Sequence, residues 1–278
     1  AGHSFSISST YDIDGRLDLL TYPSWSLNPT TDDIVIKHGY QNGALKQLSN
    51  HKTGTVYQNI SAINARGQAS GITYANGVVE SRSYIAQSGW LDTLSINKGG
   101  SALHSLDYDY DFVGNVEKRT QGFGVGSNAG FTEVFTYDDL HRVKTRTISN
   151  LNNSTGYNAL PASLRMNEGY NYDHWGNITY KQNTGYYKYD SIKTNRLTEV
   201  WSGSGFTGTK HYGFSYDGNG NVTNDSKRSF TYTAFDKPSK VTQGTDYTDF
   251  AYGTDRQLYR RTDVRSGQAT DAFYIDGL

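Results

Sequence analysis

The sequence predicts an all-β protein built from repeated antiparallel hairpins, and three observations predict it. A phrase recurs along the chain: an aromatic, any residue, Tyr and Asp, then after two residues Gly, Asn and an aliphatic residue. The composition is that of strands and turns, with 23 Tyr and 30 Gly against one Met in 278 residues. A locally helical pattern is confined to the short stretch from Ala162 to Asn167. Repetition of this kind sets the architecture before any site is considered, because each unit is completed by stacking on its neighbours.

Taken in chain order, Ala1-Gly2-His3 reads as a cloning remnant and carries no fold argument. Tyr11-Asp12-Ile13-Asp14-Gly15 is a first, weaker copy, and Ala75-Asn76-Gly77-Val78 and Gly89-Trp90-Leu91 carry further fragments of the pattern. The first full copy is Tyr108-Asp109-Tyr110-Asp111-Phe112-Val113-Gly114-Asn115-Val116. Phe135-Thr136-Tyr137-Asp138-Asp139-Leu140-His141-Arg142-Val143 varies it. The full form returns as Tyr170-Asn171-Tyr172-Asp173-His174-Trp175-Gly176-Asn177-Ile178, and a fragment as Tyr187-Lys188-Tyr189-Asp190. Phe214-Ser215-Tyr216-Asp217-Gly218-Asn219-Gly220-Asn221-Val222 completes the set, with looser copies at Phe230-Thr231-Tyr232, Phe250-Ala251-Tyr252-Gly253 and Phe273-Tyr274-Ile275-Asp276-Gly277. The anchoring tyrosines Tyr172, Tyr189, Tyr216, Tyr232 and Tyr252 are 17, 27, 16 and 20 residues apart by their numbering, which suits one hairpin per unit with variable loops. The expected organisation is therefore one repeat segment over residues 1–278, and the ending at Asp276-Gly277-Leu278, just after a repeat opening, reads as a cut from something longer.

Within a unit, Phe214 and Tyr216 lie two apart and so share one face of a strand. Asp217 opens the turn, its carboxylate placed to accept hydrogen bonds from amides two and three residues on, while Gly220 takes a positive φ without steric cost. Val222, Ile178 with Tyr180, and Val143 with Thr145 supply the returning strands. The tyrosines Tyr110, Tyr137, Tyr172, Tyr189 and Tyr216 are expected to cover sheet with their rings and reach the surface with their hydroxyls. Together with Asp111, Gly114, Asn115, Asp138, Asp173, Gly176, Asn177, Asp190, Asp217, Gly220 and Asn221 they define the repeat. A catalytic residue is seldom copied into every unit, so their expected role is structural.

Composition narrows the function. With 35% hydrophobic residues the chain can bury a sizeable core; a compact domain of this size hides roughly three-quarters of its unfolded surface. A formal net charge of −1 with no run of Lys or Arg lacks the counterion-release footprint of a nucleic-acid binder, so no nucleic acid is expected as a partner. The lack of cysteine removes disulfides, thiolate catalysis and Cys-ligated metal, and leaves the compartment open. No apolar stretch approaches ~20 residues, so no membrane span is expected.

The candidate sites each meet a simpler reading. Asp107, Asp109 and Asp111 alternate like the start of a calcium-binding EF-hand loop, but Phe112 and Lys118 stand where that loop requires Gly and Glu. Asp217, Asn219 and Asn221 fail the same way, with Val222 and Arg228 in those places, so turn capping is expected and no metal or cofactor. The seven histidines show no metal-ligand spacing, and His141 and His174 fall in turns. Gly122-Phe123-Gly124-Val125-Gly126 lacks the ending of a phosphate loop and is expected to be an inter-repeat loop. Trp25, Trp90, Trp175 and Trp201 with the repeated tyrosines could instead form a platform for glycan contact.

The repeated Tyr-Asp-x-x-Gly-Asn phrase, with Ala75-Asn76-Gly77-Val78, Gly89-Trp90-Leu91 and Tyr252-Gly253-Thr254-Asp255-Arg256, resembles the Rhs or YD-repeat proteins. These include bacterial polymorphic toxins and the C components of insecticidal toxin complexes. The resemblance covers nearly the whole chain. It implies a spiralling antiparallel β-sheet forming part of a hollow shell, a secreted or cell-surface location, and as partners the flanking Rhs repeats and an enclosed C-terminal effector. Such cores usually end in an Asp-Pro segment that supports self-cleavage. Here the prolines follow Tyr22, Asn28, Leu160 and Lys237, so neither that cleavage site nor a catalytic residue is expected in this chain. The alternatives are a carbohydrate-binding module and a polysaccharide-cleaving enzyme; the leading expectation is that the chain is not an enzyme.

Overall fold

A computed structural model describes residues 7–23, 34–124, 130–150, 158 and 160–274. Ala1-Gly2-His3, Trp25, Val125, Gly126 and Ile275-Asp276-Gly277-Leu278 lie outside the described residues. The chain divides into two units, Ala1–Asn167 and Glu168–Leu278.

The first unit holds β1 (Ser8–Tyr11), β2 (Leu17–Thr21), β3 (Val35–Gln41), β4 (Ala44–Asn50), β5 (Val56–Ile63) and β6 (Ala69–Tyr74). It continues with β7 (Val78–Tyr84), β8 (Leu91–Lys98), β9 (Ser101–Tyr110), β10 (Val116–Phe123), β11 (Gly130–Tyr137) and β12 (Val143–Asn150). Each strand pairs antiparallel with the next in sequence. A 3-10 turn at Ala162–Leu164 occupies the stretch whose sequence reads as briefly helical.

The second unit begins with a five-strand meander, β13 (Glu168–Tyr172), β14 (Ile178–Lys181), β15 (Gly185–Tyr189), β16 (Leu197–Gly203) and β17 (Thr207–Gly213). A seven-strand meander follows: β18 (Ser215–Tyr216), β19 (Val222–Asn224), β20 (Ser229–Tyr232), β21 (Pro238–Gln243), β22 (Asp246–Tyr252), β23 (Leu258–Arg265) and β24 (Gln268–Phe273). The all-antiparallel prediction is thus what the chain adopts.

One irregularity recurs at a fixed place. In the hairpin closed by Tyr137, that residue pairs with Val143 while Thr136 pairs with Thr145, so Lys144 is an extra residue on the returning strand. The same shift follows Tyr11, Tyr84, Tyr172, Tyr189, Tyr216, Tyr232 and Tyr252. A bulge bends its strand and raises the local twist, so each hairpin curls by the same device. It also resets the alternation of faces. Ile178 and Tyr180 are two apart, yet Ile178 faces Tyr172 and Tyr180 faces Asn171, on opposite sides of the sheet.

The two faces of the first unit differ in chemistry. One carries the directly paired row Arg82, Leu94, Leu106, Gln121 and Phe131, in line with the anchoring tyrosines. The other carries Ser83, Thr93, Asp107, Thr120, Thr132 and Ser149. Fully buried apolar residues are few among those described: Val35, Ile72, Phe131 and Ile148 here, Val200 and Val264 in the second unit. Gly122 and Phe123 are not the loop that their glycine content predicts. They close strand β10, because the Phe123 ring packs at 5.1 Å from His104 and 5.8 Å from Phe131.

Candidate functional site

The repeated phrase builds one local device. Asp111 Oδ1 accepts from the amides of Val113, Gly114 and Asn115 at 3.0, 2.9 and 2.8 Å, and the Asn115 side-chain amide donates to Oδ2 at 2.7 Å. Asp173 holds Trp175, Asn177 and the Asn177 side chain in the same way, and Asp217 holds Asn219, Asn221 and the Asn221 side chain. All three carboxylates reach the amides two and four residues on, one further than the sequence predicts, and Asp111 also holds the amide three on that the sequence does predict. The third amide is that of Gly114, Gly176 or Gly220, which also donates to the backbone carbonyl of the same Asp, at 3.2, 3.1 and 3.2 Å. In the Asp138 turn the fifth residue is Arg142, whose Nε donates to Asp138 Oδ2 at 2.7 Å. His141 there takes the glycine position at φ 59°. Asp190, in a longer turn, instead caps Ile192 and Lys193.

The tyrosine hydroxyls correct the expectation that they end at the surface. Tyr216 donates to the carbonyl of Leu197 at 2.5 Å, and Leu197 is the residue paired with Tyr189, the anchor of the preceding hairpin. Tyr189 reaches Ile178, opposite Tyr172, at 2.9 Å; Tyr232 reaches Val222, opposite Tyr216, at 2.8 Å; Tyr252 reaches Pro238, opposite Tyr232, at 2.7 Å. In the first unit Tyr40, Tyr84, Tyr110 and Tyr137 bind Leu17, Ala69, Leu91 and Val116 alike, at 2.9, 2.9, 2.7 and 2.8 Å. A half-buried phenol finds a partner where the bulge leaves a carbonyl accessible, so each hairpin is clasped to the one before it.

A second contact covers the ring. In four of the clasps the residue preceding the acceptor lies on the incoming tyrosine: Arg16 over Tyr40 at 4.5 Å, Trp90 against Tyr110 at 5.2 Å, Arg196 over Tyr216 at 4.8 Å and Lys237 over Tyr252 at 5.5 Å. Where that residue is Asn it reaches the next turn instead. Asn115 meets His141 Nδ1 at 3.0 Å, Asn177 donates to the Thr194 carbonyl at 3.0 Å, and Asn221 donates to Asp236 Oδ1 at 2.8 Å.

The electrostatics follow these structural bonds. Hydrogen bonds from Asn221 hold the Asp217 carboxyl below the usual aspartate range. Burial pushes the Asp111 and Asp173 carboxyls up, and their Asn and amide donors pull them down further, so both end low. Burial raises the phenols of Tyr110, Tyr137, Tyr216, Tyr232 and Tyr252, and that of Tyr189 to about 12. One group that the motif does not contain stands out. Glu133 is 2% exposed on β11 and is held by Arg119 Nε and Arg146 Nε, both at 2.7 Å, and by Gln121 at 3.1 Å. Burial pushes its carboxyl up, but Arg146 and Arg119 outweigh this and keep it low. Sequence spacing could not find this triad, because its members come from three strands.

The remaining candidates are dispersed. Asp109 pairs with Lys118 at 2.9 Å, while Asp111 caps its turn, so the alternating aspartates do not converge. Among the described residues no group of three or more His, Asp or Glu is placed to hold a metal ion. Trp90 packs beneath Gly114, Trp175 stands at a turn tip with His174 at 4.5 Å, and Trp201 lies on β16. No helix among the described residues is long and apolar enough to cross a membrane.

No protein-family model matches the chain, and no curated protein matches its sequence. Its fold is similar to solved structures of TcdB2-TccC3, with TM-score 0.64 and 16% identity over 99% of this chain and 15% of that one. TcdB2-TccC3-Cdc42 gives TM-score 0.62 and 14% identity over 99% and 14% of the two chains. TcdB2-TccC3 without hypervariable C-terminal region gives 0.61 and 16% over 99% and 14%. The chain therefore spans about 14 to 15% of the length of these neighbours, and the likeness is one of fold.

Proposed function

We propose that this chain is a structural wall segment of a secreted bacterial Rhs-type protein, in which clasped hairpins form part of a β-shell that encloses or presents a C-terminal effector lying outside the chain. The observation that carries the reading is the serial clasp. The motif's aspartates cap turns and its tyrosines bind the preceding hairpin, which is what a wall requires. In this reading the chain is not itself an enzyme, and its function is confinement of a polypeptide by paired strands. The fold likeness to TcdB2-TccC3 assemblies supports it, as does the correspondence between the motif and the clasp.

The test is the intact mass of the native gene product, with limited proteolysis of that product before and after mild denaturation. The expected result is a much larger protein whose C-terminal part resists protease until the clasped sheet opens. A native product ending near Leu278 would sink the proposal, as would a C-terminal part cleaved equally fast in both conditions.

A further inference from the structure

Asp12, Asp111, Asp138, Asp173, Asp190 and Asp217 each open a turn by capping its amides. In five of these six turns one of the next two residues is a large apolar side chain standing in solvent: Ile13, Phe112 and Leu140 in the first unit, Trp175 and Ile192 in the second. The turn of Asp217 carries Gly218 and Asn219 instead. Capping uses only the amides at these places, and turn chemistry favours small or polar side chains there. Phe112 is 96% exposed, Ile192 88% and Trp175 59%, so these residues add little to the packing of their own hairpins.

The pair in the second unit shares a rim. Alternate turns of the meander β13 to β17 lie on the same side, and those of Asp173 and Asp190 are joined by the Asn177 side-chain amide, which donates to the Thr194 carbonyl at 3.0 Å. Two strand spacings of about 4.8 Å separate such turns, so Trp175 and Ile192 project about 10 Å apart. Hairpins added by edge pairing extend the sheet sideways and leave this rim uncovered.

Beside Ile192 lies an open cleft of about 470 Å³ lined by Lys193, Thr194, Asn195, Arg196 and Tyr216. The Arg196 guanidinium rests on the Tyr216 ring at 4.8 Å. The carboxylates of the adjoining turns, Asp173, Asp190 and Asp217, are each held by amides of their own turns. The loop from Asp190 to Arg196 thus sets two cations and an apolar tip against one capped carboxylate.

We propose that this rim of the second unit docks on an anionic lipid surface, with Trp175 and Ile192 entering the headgroup region and Lys193 and Arg196 binding a lipid phosphate. Separate convex tips form no groove for a folded partner, whereas a fluid interface closes around each one. Trp is at home at a membrane interface, and the two cations complement anionic headgroups. The contact is interfacial and independent of enclosure, since a wall that binds no lipid still confines.

Co-sedimentation of the whole chain with vesicles of phosphatidylcholine, and of phosphatidylcholine with phosphatidylglycerol, tests the site. Binding to the mixed vesicles is expected to be the tighter and to fall with added salt. Ile192→Ser and Trp175→Ser are expected to weaken it at least about fivefold each, and Lys193→Gln about fivefold. Phe206→Ser, in the turn at the other end of β16, is expected to leave it unchanged. Unchanged thermal unfolding of Ile192→Ser separates lost docking from lost fold. Equal binding to both vesicles would overturn the role of the cations. Sedimentation with neither vesicle, or binding indifferent to Ile192→Ser, would overturn the proposal. A dimer that forms without vesicles and is abolished by Ile192→Ser would assign the tips to a second copy of the chain and overturn the lipid surface.

Discussion

Gly114 shows how much one position in the repeat carries. Its φ is 101°, and a Cβ there would lie 2.6 Å from Trp90 Cζ2, so both the backbone conformation and the space forbid a side chain. Gly114→Ala should cost about 1–3 kcal/mol, whereas Gly77→Ala, at φ 81° with nothing within 4 Å, should cost about 1 kcal/mol, both by denaturant unfolding. Tyr216→Phe keeps the ring under Arg196 and deletes only the donor to Leu197, an expected loss of about 1 kcal/mol. Asp and Gly were legible in the sequence because turn chemistry is local. The hydroxyl's true partner was not, because it lies 19 residues away across a bulge that alternation does not encode.

At the scale of the element, the bulge and the buried triad divide the hairpins into what pattern reveals and what only pairing reveals. The strands around Tyr137, Tyr172 and Tyr216 follow from aromatic spacing and turn residues. The face of Tyr180 does not, since one extra residue, Thr179, reverses it. That reversal sets the rings of Tyr180 and Tyr186 against each other, a pairing that spacing alone does not give. Glu133, Arg119 and Arg146 join β10, β11 and β12 into one charged layer. Glu133→Ala would leave two guanidiniums facing each other without their anion. Both keep some water, so the expected cost lies at the lower end for a broken buried pair, about 3 kcal/mol by chemical unfolding. Double substitution with Arg146→Met should recover part of it.

For the whole molecule the capped aspartates and clasped tyrosines set two limits of pH. Asp12, Asp111, Asp138, Asp173, Asp190 and Asp217 are low when folded, and Glu199, held first by Lys188, lies at about 2. A carboxyl lowered by folding contributes stability that is complete above its unfolded value and disappears as pH falls through the folded one. The melting temperature should therefore hold down to about pH 5 and drop between about pH 4 and 2. The phenols are raised by folding, so their sign is opposite. Their contribution is complete below about pH 10 and is lost as pH climbs through the folded values, that of Tyr189 being about 12. Thermal melts across the range, with phenolate absorbance followed on the alkaline side, check both limits.

The clasp also has a direction. In every described case the donor tyrosine belongs to the later hairpin and the acceptor carbonyl to the earlier one. A ribosome delivers the chain in that same order. Each acceptor is thus synthesised before its tyrosine emerges, so an edge that has already paired is able to receive the next hairpin. Folding in that order would complete every clasp as it goes, whereas a chain shortened from the N-terminal end presents a tyrosine whose acceptor was never made.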